Sequence, residues 1–89
     1  IYTEWRAART ALEVEQFCQR FAVGSPLEDF ARYALAQGFR VNDLGAETPS
    51  VMASKIVYSF REELFGCIAV RDAQGKVART YTEHTYVER

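Results

Sequence analysis

The fold this sequence predicts is α+β, with two N-terminal helices packed as one layer on a three-stranded antiparallel meander, in the order α-α-β-β-β. Three observations predict it. The first stretch of the chain lacks Gly and Pro and is dominated by Ala, Leu, Glu, Gln and Arg; Gly24 to Val41 carries helix-capping residues at both ends; and from Lys55 the apolar residues recur every second position. Helices first and strands afterwards segregate into two layers. Strands joined by short turns have to run antiparallel, because parallel neighbours need a crossover of a dozen or more residues.

The elements follow in chain order. Thr3 is placed to cap a helix over residues 4–22, whose stripe is Ala7, Ala11, Val14, Cys18 and Phe21, broadened by Trp5, Ala8, Leu12 and Phe17. Val23-Gly24 breaks it. In Gly24-Ser25-Pro26-Leu27-Glu28, Ser25 is a side-chain N-cap, Pro26 fits the first helical position and Glu28 completes a capping box. Gly38 stops this second helix, expected over residues 26–37, with Leu27, Phe30, Ala31, Ala34 and Leu35 as its apolar stripe. Residues 42–54 hold Asn, Asp, Gly and Pro without sustained periodicity and read as a loop.

Strands are expected over 55–61, 64–71 and 76–87. In the first, Ile56, Tyr58 and Phe60 alternate with Lys55, Ser59 and Arg61, which predicts one wet face. Glu62-Glu63 suits a turn. Leu64 to Val70 is apolar almost throughout, as a central strand is, with Gly66 admitting a close neighbour or a bulge. Asp72-Ala73-Gln74-Gly75 supplies the hairpin turn into the last strand, where strict alternation would separate Val77, Tyr81, Thr85 and Val87 from Ala78, Thr80, Thr82, His84 and Tyr86.

Composition bounds the function classes. With 89 residues, 48% hydrophobic and 26% charged, residues 1–89 form a single globular domain. A formal net charge of −1 with no basic block removes a global drive toward nucleic acid, and no apolar run is long enough to span a bilayer. Ile1 to Trp5 carries no secretory signal; one upstream of Ile1, with or without a lipidated cysteine, would lie outside this numbering.

Candidate chemistry is sparse, and no metal or cofactor is expected. His84 is the only histidine, Cys18 and Cys67 are the only cysteines, and a Cys67–His84 pair across adjacent strands is the one nucleophilic arrangement available. Glu62 and Glu63 read as solvated turn charges. The cysteines have two readings. In an oxidising compartment a Cys18–Cys67 bridge would close a loop of about 50 residues and contribute about 4 kcal/mol in the chain-entropy model; in the cytosol both would be buried free thiols. Two helices cover one sheet face, so Tyr58, Thr82, His84 and Tyr86 are the candidate partner-binding residues, on the face expected to stay uncovered.

Two motifs carry a resemblance. Gly24-Ser25-Pro26-Leu27-Glu28-Asp29-Phe30 and the hairpin Cys67 to Val77, with its D-x-x-G-K-V turn, together resemble small bacterial envelope domains of the SmpA/BamE outer-membrane assembly lipoprotein type, whose fold is shared by each half of the β-lactamase inhibitor protein. The resemblance spans about residues 24–81. It implies a glycine-led, capped helix pair on a three-stranded sheet, and a non-enzymatic binding module that is periplasmic or anchored at the outer membrane. It transfers no site residues. The sequence departs from the type in its long first helix and in carrying no lipid-bearing N-terminal cysteine.

The leading expectation is therefore a non-enzymatic envelope module with a protein partner. A cytoplasmic inhibitor or immunity-type protein is the alternative, and a thiol enzyme using Cys67 and His84 is the third reading. Tyr-rich strand edges permit a homodimer without requiring one.

Overall fold

The computed structural model describes residues 2–21, 23–44, 49–58 and 62–87. Among these, helix α1 (Tyr2–Arg20) and helix α2 (Leu27–Ala36) pack on a sheet of β1 (Arg40–Asp43), β2 (Ser50–Tyr58), β3 (Glu62–Arg71) and β4 (Val77–Val87). The strands are antiparallel and lie in chain order, β1-β2-β3-β4. The class and the meander agree with expectation, but the sheet has four strands rather than three.

The extra strand comes from the segment expected as a loop. Arg40–Asp43 pairs with Val51–Ser54, so residues 42–54 supply the end of β1 and the first half of β2, while residues 45–48 fall outside the described residues. Val41 is the one apolar residue in β1, too little for a periodic signal; its backbone is extended because β2 supplies the hydrogen bonds. Glu62 and Glu63, expected at a turn, open β3 opposite Tyr58 and Val57. Residues 59–61, including the expected face residue Phe60, fall outside the described residues.

The helix ends show which caps are local. Thr3 lies inside α1, which begins at Tyr2. At α2, Pro26 takes the N-cap position with no side-chain cap, so the expected Ser25–Glu28 capping box is absent and Glu28 pairs with Arg32 at 2.9 Å. The orphan amide of Leu27 instead donates to the Gly75 carbonyl at 3.1 Å, and the backbones of Gly24 and Ser25 exchange hydrogen bonds with Val77 at 2.8 and 2.7 Å. The hairpin turn thus caps the helix, a tertiary answer to the need for partners at a helix start. The C-terminal signal is fully local. Gly38 has φ +84°, the Phe39 amide donates to Ala34 and the Gly38 amide to Leu35, which is a Schellman motif. Gly38→Ala should therefore cost about 1–2 kcal/mol, the penalty of a Cβ in the left-handed region, with no steric clash to relieve; denaturant titration would read this as a lower midpoint at unchanged slope.

One core lies between the helices and the sheet. Val14, Phe17 and Cys18 from α1, Leu27, Phe30 and Ala34 from α2, and Phe39, Ala53, Val57, Phe65, Cys67, Ala69 and Val77 below them are buried. Phe17 touches the rings of Phe21, Phe30, Tyr33 and Phe39 at centroid distances of 4.5 to 5.9 Å. The stripes are narrower than expected: Trp5, Ala8 and Leu12 of α1 and Leu35 of α2 are exposed. Cys18 and Cys67 are joined by a disulfide with Cα atoms 5.4 Å apart, which ties α1 to the middle of β3.

Candidate functional site: the uncovered face of the sheet

Pairing register and the helix-side core together divide the sheet residues into two faces. Phe65, Cys67 and Ala69 of β3 face the helices; Leu64, Gly66, Ile68 and Val70 therefore face away. Across the strands the same outward rows hold Met52, Ser54, Ile56 and Tyr58 of β2 and Tyr81 and Glu83 of β4. None of the described helices covers this face.

Its centre is apolar and closely packed. Ile68 is only 4% exposed although it lies outside the helix-side core, because Met52 and Tyr81 flank it in its cross-strand row. A Cβ on Gly66 would sit 3.2 Å from the Met52 sulfur, so the absence of a side chain there lets Met52 lie across β3. Ser50 and Ser54, both 2% exposed, are short enough to keep the rows beside Met52 level. Tyr58 and Tyr81 stand at the margins, 64% and 42% exposed, and the Arg79 guanidinium lies 5.3 Å from the Tyr81 ring centre. Arg40, Glu62, Arg79 and Glu83 put charge around the edge. An apolar centre inside a polar rim is the anatomy of a protein-binding patch.

The four candidates expected to share this face do not. Tyr58 is on it, but Thr82, His84 and Tyr86 lie on the helix side of β4, beside α1. The Thr80 hydroxyl, in the same row, donates to the Cys18 carbonyl of α1 at 3.2 Å. His84 stacks on Phe65 at 4.5 Å and sits 3.3 Å from Glu63. The cause is a β-bulge. Val70 pairs with Arg79 but Arg71 pairs with Val77, so Ala78 is the surplus residue and the side-chain parity shifts within β4. Val77 then enters the helix-side core while Tyr81 faces outward, where strict alternation had put them on one side.

Lys55 reverses the same way. Expected on a wet face, it points under α1, 2.5 Å from Glu13 and 4.7 Å from the Phe39 ring centre, leaving Ile56 and Tyr58 on the uncovered side. One sequence signal for this existed: the unbroken apolar run of β3 means that both its faces are apolar, and helices on one side leave the other to be filled by something else.

The helix side offers less chemistry. A cleft of ≈ 520 Å³ between α1 and α2 is lined by Gln16, Phe17, Arg20, Tyr33, Gln37 and Phe39, and Arg20 donates to the Tyr33 hydroxyl there. Cys67 has its sulfur in the disulfide and is fully buried, and its cross-strand neighbour is Thr82 rather than His84. Among the described residues no three His, Cys, Asp or Glu side chains cluster as metal ligands, and no helix is long and apolar enough to cross a membrane. The Gly24–Leu27 segment and the turn after β3 are in contact, since Gly24 to Leu27 is hydrogen-bonded to Gly75 and Val77, and the Asp72 carboxylate accepts from the Gln74 and Lys76 amides within that turn. No family model matches the chain, and neither a curated protein nor a solved structure matches it.

Proposed function

We propose that this domain is a non-enzymatic protein-binding module of the bacterial envelope, periplasmic or held at the outer membrane, that takes its partner on the uncovered sheet face. The outward apolar side chains Met52, Ile56, Leu64, Ile68 and Val70, with tyrosines at their margins, carry the proposal: they form a second apolar surface on a sheet whose other face the helices already use. Tyr58 and Tyr81 are the anchors, being large side chains that lose little rotamer entropy on binding. The disulfide supports the envelope over a cytoplasmic inhibitor, since such bonds persist in oxidising compartments. The contact between the Gly24–Leu27 segment and the D-x-x-G-K-V turn supports the SmpA/BamE-like reading of the architecture.

The test is site-specific photo-crosslinking in envelope-producing cells, with the reactive side chain at Tyr58, Tyr81 or Arg32, the last on the exposed side of α2. Discrete products joining this chain to a different protein from Tyr58 and Tyr81, lost when Leu64→Arg is added, are expected. Such products from Arg32 with none from either tyrosine would place binding on the helices and sink the proposal.

A further inference from the structure

β4 is the long edge of the sheet. It pairs with β3 on one side, and at its start Gly24–Pro26 lie along the other side, at Lys76 and Val77; among the described residues no other strand pairs with β4 there. Beyond that point every side chain from Ala78 to Tyr86 is exposed except Thr80, which is half-buried. A long edge strand rich in Thr and Tyr is a template for another strand. Arg79, Tyr81 and Glu83 of this strand also project onto the uncovered face, so a contact along the edge sets the faces of two copies side by side and leaves Leu64 and Ile68 uncovered.

The charges on this strand match an antiparallel copy of itself. A two-fold axis perpendicular to the sheet keeps the helices of both copies on one side, so facing residues have to come from the same face. With Tyr81 opposite Tyr81 of a second copy, Arg79 falls opposite Glu83, Glu83 opposite Arg79, and Thr80 opposite Thr82. Opposite charges and Thr–Thr pairs directly across are the favourable cross-strand combinations. Pairing then runs from Ala78 to His84, short of the Val77 edge that Gly24 and Ser25 occupy. Other registers lose this match. Centring on Glu83 sets like charges face to face; centring on Thr80 carries Glu83 of one copy onto the blocked Val77 of the other; and centring on Thr82 leaves Arg79 and Glu83 only diagonal. The flank of α1 beside β4 is also partly apolar: Glu15 and Gln19 line the groove over Thr80 to Thr82, and Trp5, Ala8 and Leu12 extend their helical row, all exposed.

We infer that two copies of this chain join β4 to β4 about a two-fold axis at Tyr81, forming one continuous antiparallel sheet closed by reciprocal Arg79–Glu83 pairs. Sedimentation equilibrium over a concentration series reaching the high micromolar range is the test, on the wild type, Arg79→Glu, Glu83→Arg and a one-to-one mixture of the two variants. The wild type is expected to dimerise. Each single variant sets like charges opposite one another twice and is expected to weaken dimerisation by about tenfold or more. The mixture restores opposite charges at both positions, so a heterodimer of near wild-type affinity is expected. Both positions are exposed, and far-ultraviolet circular dichroism checks that the variants fold. A monomeric wild type, variants that dimerise like the wild type, or folded variants whose mixture stays monomeric would each overturn the inference. Leu64→Arg leaves this edge intact and should not alter the dimer, which separates its failure from that of the partner-binding face.

Discussion

Replacing both cysteines, Cys18→Ala with Cys67→Ala, is expected to remove about 4 kcal/mol of stability, the chain-entropy worth of a cross-link between residues 49 apart in sequence. For a domain of this size each kcal/mol moves the midpoint by about 4–8 °C, so Tm should fall by roughly 15–30 °C. Native domains hold only about 5–15 kcal/mol, which leaves the variant close to unfolding. The bond joins the inward side of α1 to the centre of β3, so α1 loses its covalent cross-link to the sheet. Both cysteines are buried, at 3% and 0% exposure, so a mild reductant should act slowly on the folded protein and quickly once denaturant is present. A fall of only a few degrees by calorimetry would mean that the packing of Val14 and Phe17 alone fixes α1 on the sheet.

Phe30→Ala should cost about 3–5 kcal/mol, as truncation of a fully buried ring does when the site cannot collapse. Phe30 packs against Phe17 at 5.4 Å and edge-on to Phe21 at 5.1 Å, so the variant opens a gap where α1, α2 and the sheet meet. Leu35→Ala makes the contrast. Leu35 belongs to the same apolar stripe by helical spacing, yet it is 61% exposed and its truncation should change stability by no more than about 0.5 kcal/mol. Urea titration of the two variants separates a ring cluster that holds the helices from a stripe that is merely apolar. Equal losses would mean that Leu35 has a covered environment in solution.

The difference between these two residues reflects how α2 sits. A helix ten residues long, with a hairpin turn at its start and Phe39 folding under its end, presents a narrow arc to the core. Periodicity reports which side of a helix is apolar but not how wide an arc the neighbours cover. Trp5 and Leu12 fall outside the covered arc of α1 for the same reason.

The candidate site is legible in the sequence only in outline. That one sheet face is left bare follows from counting two helices against one sheet, and Tyr58 lies on it. Thr82, His84 and Tyr86 belong to the other side because a single surplus residue, Ala78, shifts parity within β4 and leaves no trace in the composition of the strand. Met52, Leu64, Ile68 and Val70 are readable as apolar. Their side is settled by the bond between Cys67 and Cys18, which fixes Phe65, Cys67 and Ala69 under α1 and turns their neighbours outward.

By itself the sequence determined what short-range chemistry can specify: two helices, the left-handed stop at Gly38, the tight turn at Asp72 to Gly75, and an antiparallel order enforced by short connections. These depend on residues within a few positions of one another. Tertiary structure alone decided the fourth strand, the cap on α2, the inward course of Lys55 and the handing of β4 between faces. In the first three the partner lies outside the local pattern: β2 for Arg40–Asp43, Gly75 for the Leu27 amide and Glu13 for Lys55; in the fourth a one-residue bulge opposite Val70 and Arg71, unmarked by composition, sets Val77 and Tyr81 on opposite faces. A backbone amide or a charged side chain takes whichever satisfied position the assembled fold offers, and local pattern does not encode that position.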